Sequence, residues 1–134
     1  MKTFLLQIFT WWNGQTLGTR FFTWRKGERV GKDQFGNVYY RTRGGVVDPT
    51  IGHERRWVIY NGEADASMVP PGWHGWLHHR VAVAPSQETY TAREWEIPHE
   101  GNPTGSVKAY RPAGSILSPG QSATTQGDYK PWTP

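Results

Sequence analysis

From Val81 to Pro134 the chain carries seven prolines in 54 residues, with glycines scattered between them. Proline fixes φ, lacks the N–H donor that helix interiors and central strands require, and pushes the preceding residue out of the helical region. No long helix or inner strand fits such a stretch. Ordering it costs roughly 1 to 2 kcal/mol per residue, so contacts from outside the segment must offset that cost. The expectation is an extended tail over 81–134 that lies across a partner, with Tyr90, Trp95, Tyr110, Tyr129 and Trp132 as widely spaced anchors.

The material left for a core is thin. Leu, Ile, Val and Phe total 24 of 134 residues, below the level at which chains usually build a self-sufficient core. Eight Trp and six Tyr stand in their place. These residues bury large area while keeping a polar tip and are enriched where proteins meet, whereas a net charge of only +4 argues against a chain expanded by self-repulsion. The charge is uneven: residues 1–60 hold ten Lys or Arg against four acids, and 61–134 hold five against seven. There is no cysteine, which removes disulfides, thiolate ligands and thiol nucleophiles. No apolar run reaches the ~20 residues that span a bilayer. The start, MKTFLLQIFTWWNG, mimics a signal peptide, yet Gln7 interrupts its apolar run and no small-residue cleavage site follows. It reads as mature sequence.

Phe4, Leu5, Ile8, Phe9 and Trp12 share one face of a 3.6-residue period, which predicts an amphipathic helix over roughly 3–13 closed by Asn13-Gly14. That face either closes the chain's own core or lies on a partner or a membrane interface, the second being favoured in a chain so poor in aliphatics. Arg20, Arg25 and Lys26 follow as a basic flank suited to an acidic protein or lipid surface. From Glu28 the period changes to two, with a turn-rich break at Asp33–Gly36 and a third strand in RRWVIYNG, so three antiparallel strands are expected. Pro70-Pro71 opens a short helix over about 70–79. The fold class is α+β: residues 1–24 an N-terminal amphipathic helix and linker, 25–80 the small sheet plus a short helix, 81–134 the tail.

The residues that invite a chemical reading are in VPPGWHGWLHHR. His74 and His78 have the i, i+4 spacing of a helical metal pair, but Gly75 stands where a zinc-protease helix has its glutamate, and no third ligand is nearby. The simpler reading has Trp73, Trp76 and Leu77 fixing the helix on the sheet while the histidines bond to neighbouring backbone. No serine sits in a nucleophile elbow and GKDQFG is a turn rather than a phosphate loop. Glu94 and Glu96 would share one face of a strand as a solvated edge. Basic and aromatic residues alternate in RFFTWRKGERVGK, as in single-strand binders, but the small net charge and acidic second half argue against nucleic acid as a partner. A Trp-rich sugar-binding module is weaker still.

Several stretches together, GKDQFGNVYY (31–40), RRWVIYNG (55–62), ASMVPPGWHGWLHH (66–79) and N-x-T-G at Asn102–Gly105 followed by Tyr110-Arg111-Pro112, resemble the NADH dehydrogenase [ubiquinone] 1 alpha subcomplex subunit 12 family, in the same order from about Trp11 to Pro112. The resemblance implies a non-catalytic accessory subunit of respiratory complex I, without cofactor or metal of its own. Such a subunit lies in the hydrophilic arm near its junction with the membrane arm, against iron–sulfur core subunits and neighbouring accessory subunits, one of them zinc-binding, with peripheral membrane contact allowed. An assembly-factor paralogue in the family lacks the complete W-H-x-W-L-H and N-x-T-G segments, so Trp73, His74, Trp76, Leu77 and His78 with Asn102, Thr104 and Gly105 point to the subunit. Two departures stand out: the connection Gly44–Glu54 is idiosyncratic, and VAVAPSQ replaces an acidic stretch expected after the short helix. The short N-terminus resembles a bacterial version, peripheral on the cytoplasmic side of the inner membrane. The residues expected to bind partners are Phe4, Ile8, Trp12, Arg20, Arg25, Trp73, His74, Trp76, His78, Trp95, Asn102 and Tyr110.

Overall fold

The computed structural model describes residues 5, 8, 9, 15–112, 115 and 117, and the chain divides into two units, 1–101 and 102–134. The first unit is organised by the turn after Lys32. Asp33 Oδ1 accepts from the backbone N–H of Phe35 and of Asn37, each at 2.9 Å, and Gly36 takes the positive φ of 92° that closes the loop without strain. Strands β1 (Gly27–Lys32) and β2 (Val38–Thr42) therefore pair antiparallel, with a bulge between Arg29 and Gly31. β5 (Arg56–Ile59) adds antiparallel to the free side of β2, giving the order β1-β2-β5. The connection Gly44–Glu54, singled out as idiosyncratic, folds on itself as a two-stranded ladder of β3 (Val47–Asp48) and β4 (His53–Glu54). Asp48 holds its turn by accepting from the Thr50 N–H at 2.8 Å.

The two faces of the three-stranded sheet carry different helices. On one face Tyr39 stands opposite Val58 and meets α2 (Pro71–Leu77). Pro71 starts that helix at its first turn, where the missing N–H costs nothing. Trp73 lies flat on the Tyr39 ring, centroids 3.9 Å apart and planes within 6°, and Trp76 packs edge-on against Trp73 at 5.6 Å. These three with Val69 and Ala84 are the core, flanked by Val30, Val58, Tyr60 and Leu77. Gly31 is required beneath them: a Cβ there would stand 2.7 Å from Trp73 Cη2. On the other face Tyr40 and Trp57 stack at 6.0 Å, and Trp57 meets α1 (Leu17–Lys26).

α1 replaces the linker expected before residue 25. Thr16 caps it, its hydroxyl accepting from the Thr19 N–H at 3.2 Å. Of the helix expected over 3–13, Leu5, Ile8 and Phe9 are helical and exposed, while Phe4, Trp12 and its other positions lie outside the described residues. The expected helix over 70–79 ends at Leu77. Residues 81–101 have neither helix nor strand and are tied back to the rest of the unit by bonds that include Ser86 Oγ donating to the Val30 carbonyl of β1 at 3.1 Å and His99 Nε2 donating to the Ser67 carbonyl of the turn Ala66–Met68 at 2.8 Å. The strand edge expected at Glu94 and Glu96 is instead a turn, with the Glu96 N–H bonded to the Arg93 carbonyl at 3.0 Å. In the second unit the described residues form turns. Asn102 Oδ1 accepts from the Thr104 N–H at 3.0 Å and from its hydroxyl at 2.6 Å, and Ser106 Oγ donates to the Pro103 carbonyl at 2.6 Å.

Candidate protein-interaction surfaces

The motif residues between 31 and 79 converge inside the first unit. Asp33 Oδ2 accepts from Asn37 Nδ2 and from the Tyr39 hydroxyl, both at 2.8 Å. Asn37, the buried polar side chain of this region, also donates to the Met68 carbonyl at 3.2 Å and accepts from the Asn61 N–H at 3.0 Å. One carboxylate and one carboxamide thus tie the hairpin turn, the end of β5 and the short turn Ala66–Met68 into a satisfied network. Burial, then the bond to Asp33, pushes the Tyr39 hydroxyl far above its ordinary range. Kept neutral, it serves as a donor rather than an acid. GKDQFGNVYY is therefore a folding element.

Trp73 and Trp76, expected as folding and docking anchors, are 5% and 2% exposed. Their surface is taken up within this chain, and Trp73 also helps to line a groove. Behind Trp76 stands a residue that local pattern did not single out. Arg56 donates Nε–H to Glu54 at 2.8 Å, Nη1–H to the Trp76 carbonyl at 2.7 Å and to the Val81 carbonyl at 3.1 Å, and its guanidinium lies 4.6 Å from the centre of the Trp76 ring. It neutralises the negative end of α2 and fixes the chain that leaves it. The exit itself is a left-handed cap. His79 adopts φ +56°, its N–H bonds the Trp76 carbonyl at 3.1 Å and that of Arg80 bonds Gly75 at 3.0 Å, the paired bonds that close a helix when the residue after the cap is left-handed.

The histidines gather around this exit. His74 and His78 bring their rings to 4.3 Å, and His79 lies 3.8 Å from His53. Burial, then the nearby Arg56 charge, holds the His79 imidazole below its ordinary pKa. Among the described residues no group of three or more His, Cys, Asp or Glu is placed to hold a metal ion. His53, His78 and His79 instead line an open depression of about 770 Å³ with Phe22, Trp57 and Leu77.

Among the described residues, three exposed surfaces stand out besides this depression. The first is the outer side of α1, with Arg20, Arg25, Phe21 and Trp24 exposed. The second is the loop between Ser86 and His99, where Tyr90, Trp95 and Ile97 stand out at 69%, 71% and 87% exposure beside a groove of about 980 Å³ floored by Trp73 and Pro70. Arg93 sits 5.6 Å over the Trp95 ring, and the Tyr90 hydroxyl bonds to Glu96. The third, in the second unit, carries Val107 and Tyr110 at 99% and 87% exposure. Of the expected partner-binding residues, Ile8, Arg20, Arg25, His74, His78, Trp95, Asn102 and Tyr110 are thus at the surface. Among the described residues no helix is long and apolar enough to cross a membrane.

Such a chain is a small α+β module in which Tyr39, Trp73 and Trp76 build the core while Phe21, Trp24, Tyr90, Trp95 and Tyr110 stand exposed. It belongs to the NADH ubiquinone oxidoreductase subunit NDUFA12 family, whose model matches residues 27–134, starting at the first residue of β1. Among relatives, the subunit 12 protein of Bos taurus is 33% identical over 121 residues, 82% of this chain and 73% of that one. A probable subunit 12 protein of Caenorhabditis elegans is 38% identical over 82 residues, 58% of this chain and 53% of that one. A bacterial relative from Rickettsia prowazekii is 36% identical over 74 residues, 55% of this chain and 67% of that one, in keeping with a bacterial version of the family. The matched stretch spans little more than half of the Caenorhabditis protein and 64% of a Dictyostelium discoideum relative.

Proposed function

We propose that this chain is a non-catalytic accessory subunit of respiratory complex I that stabilises the hydrophilic arm near its junction with the membrane arm. The observation that carries the reading is the division of the aromatics. The motif residues Tyr39, Trp73 and Trp76 are consumed by the fold, while Tyr90, Trp95, Ile97 and Tyr110 stand exposed on chain without helix or strand. Large rings held at the surface on irregular chain are anchors for a partner, because their burial there offsets the ordering cost of the segment. Membership of a family of NADH ubiquinone oxidoreductase subunits supports other subunits of that complex as partners; on this reading they are core subunits that carry iron–sulfur clusters and neighbouring accessory subunits, including a zinc-binding one. The subunit would sit peripherally on the cytoplasmic side of the bacterial inner membrane, holding no cofactor of its own.

The test is copurification from detergent-solubilised membranes with a tagged full-length chain. Redox subunits of the complex are recovered with it, and deletion of the gene lowers the amount or stability of the assembled complex while part of the NADH oxidation remains. A complex unchanged in amount, composition and stability after deletion would end the reading. Trp95→Ala and Tyr110→Ala reduce recovery without unfolding the chain.

A further inference from the structure

α1 faces the sheet with Phe22 and Thr23 and turns Phe21 and Trp24 to solvent. Thr23 Oγ1 accepts from Trp57 Nε1 at 3.0 Å and Phe22 meets the Trp57 ring at 5.4 Å, so the side of Gly18, Thr19, Phe22 and Thr23 is the inner one. Leu17, Phe21 and Trp24, at i, i+4 and i+7, form a stripe on the opposite side. Phe21 is 59% and Trp24 73% exposed, their rings 5.8 Å apart. Helical geometry places Arg20 along one flank of this stripe and Arg25 along the other. α2, on the opposite face of the sheet, instead buries its aromatic pair Trp73 and Trp76.

The hydrogen-bonding character of the surface selects its partner. The polar groups on the stripe and its flanks are two guanidinium groups and one indole N–H, all of them donors that accept nothing. No carboxylate occurs in residues 1–27; the first acid is Glu28. A protein surface offers both donors and acceptors, and its donors would find no counterpart here. A layer of phospholipid headgroups offers phosphate and ester oxygens to the arginines and a shallow apolar boundary to Trp24, Phe21 and Leu17, the environment in which tryptophan rings and snorkelling arginines reside. Leu5, Ile8 and Phe9, helical and exposed upstream, extend the same acid-free apolar character.

We infer that the outer face of α1, Leu17, Phe21 and Trp24 flanked by Arg20 and Arg25, docks on an anionic phospholipid surface. This goes beyond membership of a complex and does not require it. The full-length chain is floated with vesicles of phosphatidylglycerol and phosphatidylcholine, and with phosphatidylcholine vesicles alone, at low and high salt. Partition into the anionic vesicles exceeds that into neutral ones and falls with salt. Arg20→Gln combined with Arg25→Gln weakens it by roughly thirty-fold, from about 1 kcal/mol for each cation near such a surface. Phe21→Ala combined with Trp24→Ala weakens it on both kinds of vesicle. Both pairs keep the far-ultraviolet circular dichroism and denaturation midpoint of the parent, because their side chains stand outside the core. Equal binding to both vesicle types, or unchanged binding by both variant pairs, would overturn the inference. Absent vesicle binding combined with loss of copurification for the arginine pair would also overturn it, assigning the face to an acidic protein neighbour and leaving the subunit reading intact. Vesicle binding by a chain whose deletion leaves complex I unchanged would end that reading and keep this one.

Discussion

Two helices flank one small sheet, and each carries a pair of aromatic residues three apart: Phe21 and Trp24 on α1, Trp73 and Trp76 on α2. In α2 both rings face the sheet, where Gly31 leaves room for one and Tyr39 supplies a flat surface for it. In α1 both face away, and Phe22 and Thr23 meet the sheet instead, at Trp57. Residue type therefore does not decide whether an aromatic is core or surface. What decides is whether the opposite wall provides a matching recess, and the wall opposite α1 is already filled by the stacked rings of Tyr40 and Trp57.

The sharpest way to break this comparison is to truncate one tryptophan from each helix. Trp76→Ala removes a ring that is 2% exposed and is expected to cost about 3 to 5 kcal/mol of stability in chemical denaturation, whereas Trp24→Ala should stay within about 0.5 kcal/mol of the parent. A similar loss for both would mean that α1 closes a core of its own. Gly31→Val tests the recess: its Cβ meets Trp73 at 2.7 Å, and overpacking of this kind costs about 1 to 3 kcal/mol, read as a lowered midpoint and an altered near-ultraviolet signal from the Trp73–Tyr39 stack. Arg56→Lys keeps the charge but loses the fork that reaches Glu54, the Trp76 carbonyl in the last turn of α2 and the Val81 carbonyl beyond it. A loss of about 1 to 3 kcal/mol is expected, and Arg20→Lys on the other helix should change nothing measurable.

The smallest effect is on pH. His79 has its pKa lowered in the fold, so the unfolded chain binds the proton more readily. Its contribution to stability is complete above the ordinary histidine pKa near 6.5 and is lost as pH falls below it. Denaturation midpoints measured from pH 8 down to pH 5 should decline, and His79→Asn, a residue that tolerates the left-handed backbone, should flatten that decline. An identical slope in the variant would assign the effect to other groups.

Most of the sheet was readable from local chemistry: the Asp33–Gly36 turn, the period-two strands and the proline start of α2 all depend on residues within a few positions of one another. α1 was not, although Thr16 and the spacing of Leu17, Phe21 and Trp24 carried its signal, because an apolar stripe flanked by arginines reads as a basic linker when its aromatic residues have no core to face. Arg56 was invisible for a different reason. Its partners Trp76 and Val81 are 20 and 25 residues away, and no pattern within a strand announces them. Asn102 was noticed for its neighbourhood of Thr104 and Gly105, yet its local bonds are those of an ordinary asparagine turn. The tryptophans of α2 were singled out as anchors, and the sequence alone offered no way to separate a ring that holds the chain together from one that holds another molecule.

The place of Gly31 beneath Trp73 also sets an order of events. The platform on which that indole rests is composed of Gly31 from one strand and Tyr39 from the next, so it exists only once the hairpin has closed. During synthesis the residues of that hairpin leave the ribosome ahead of residue 73. Biosynthesis thus presents α2 with a finished seat, and a circular permutant that began at Pro70 would have to wait for its own.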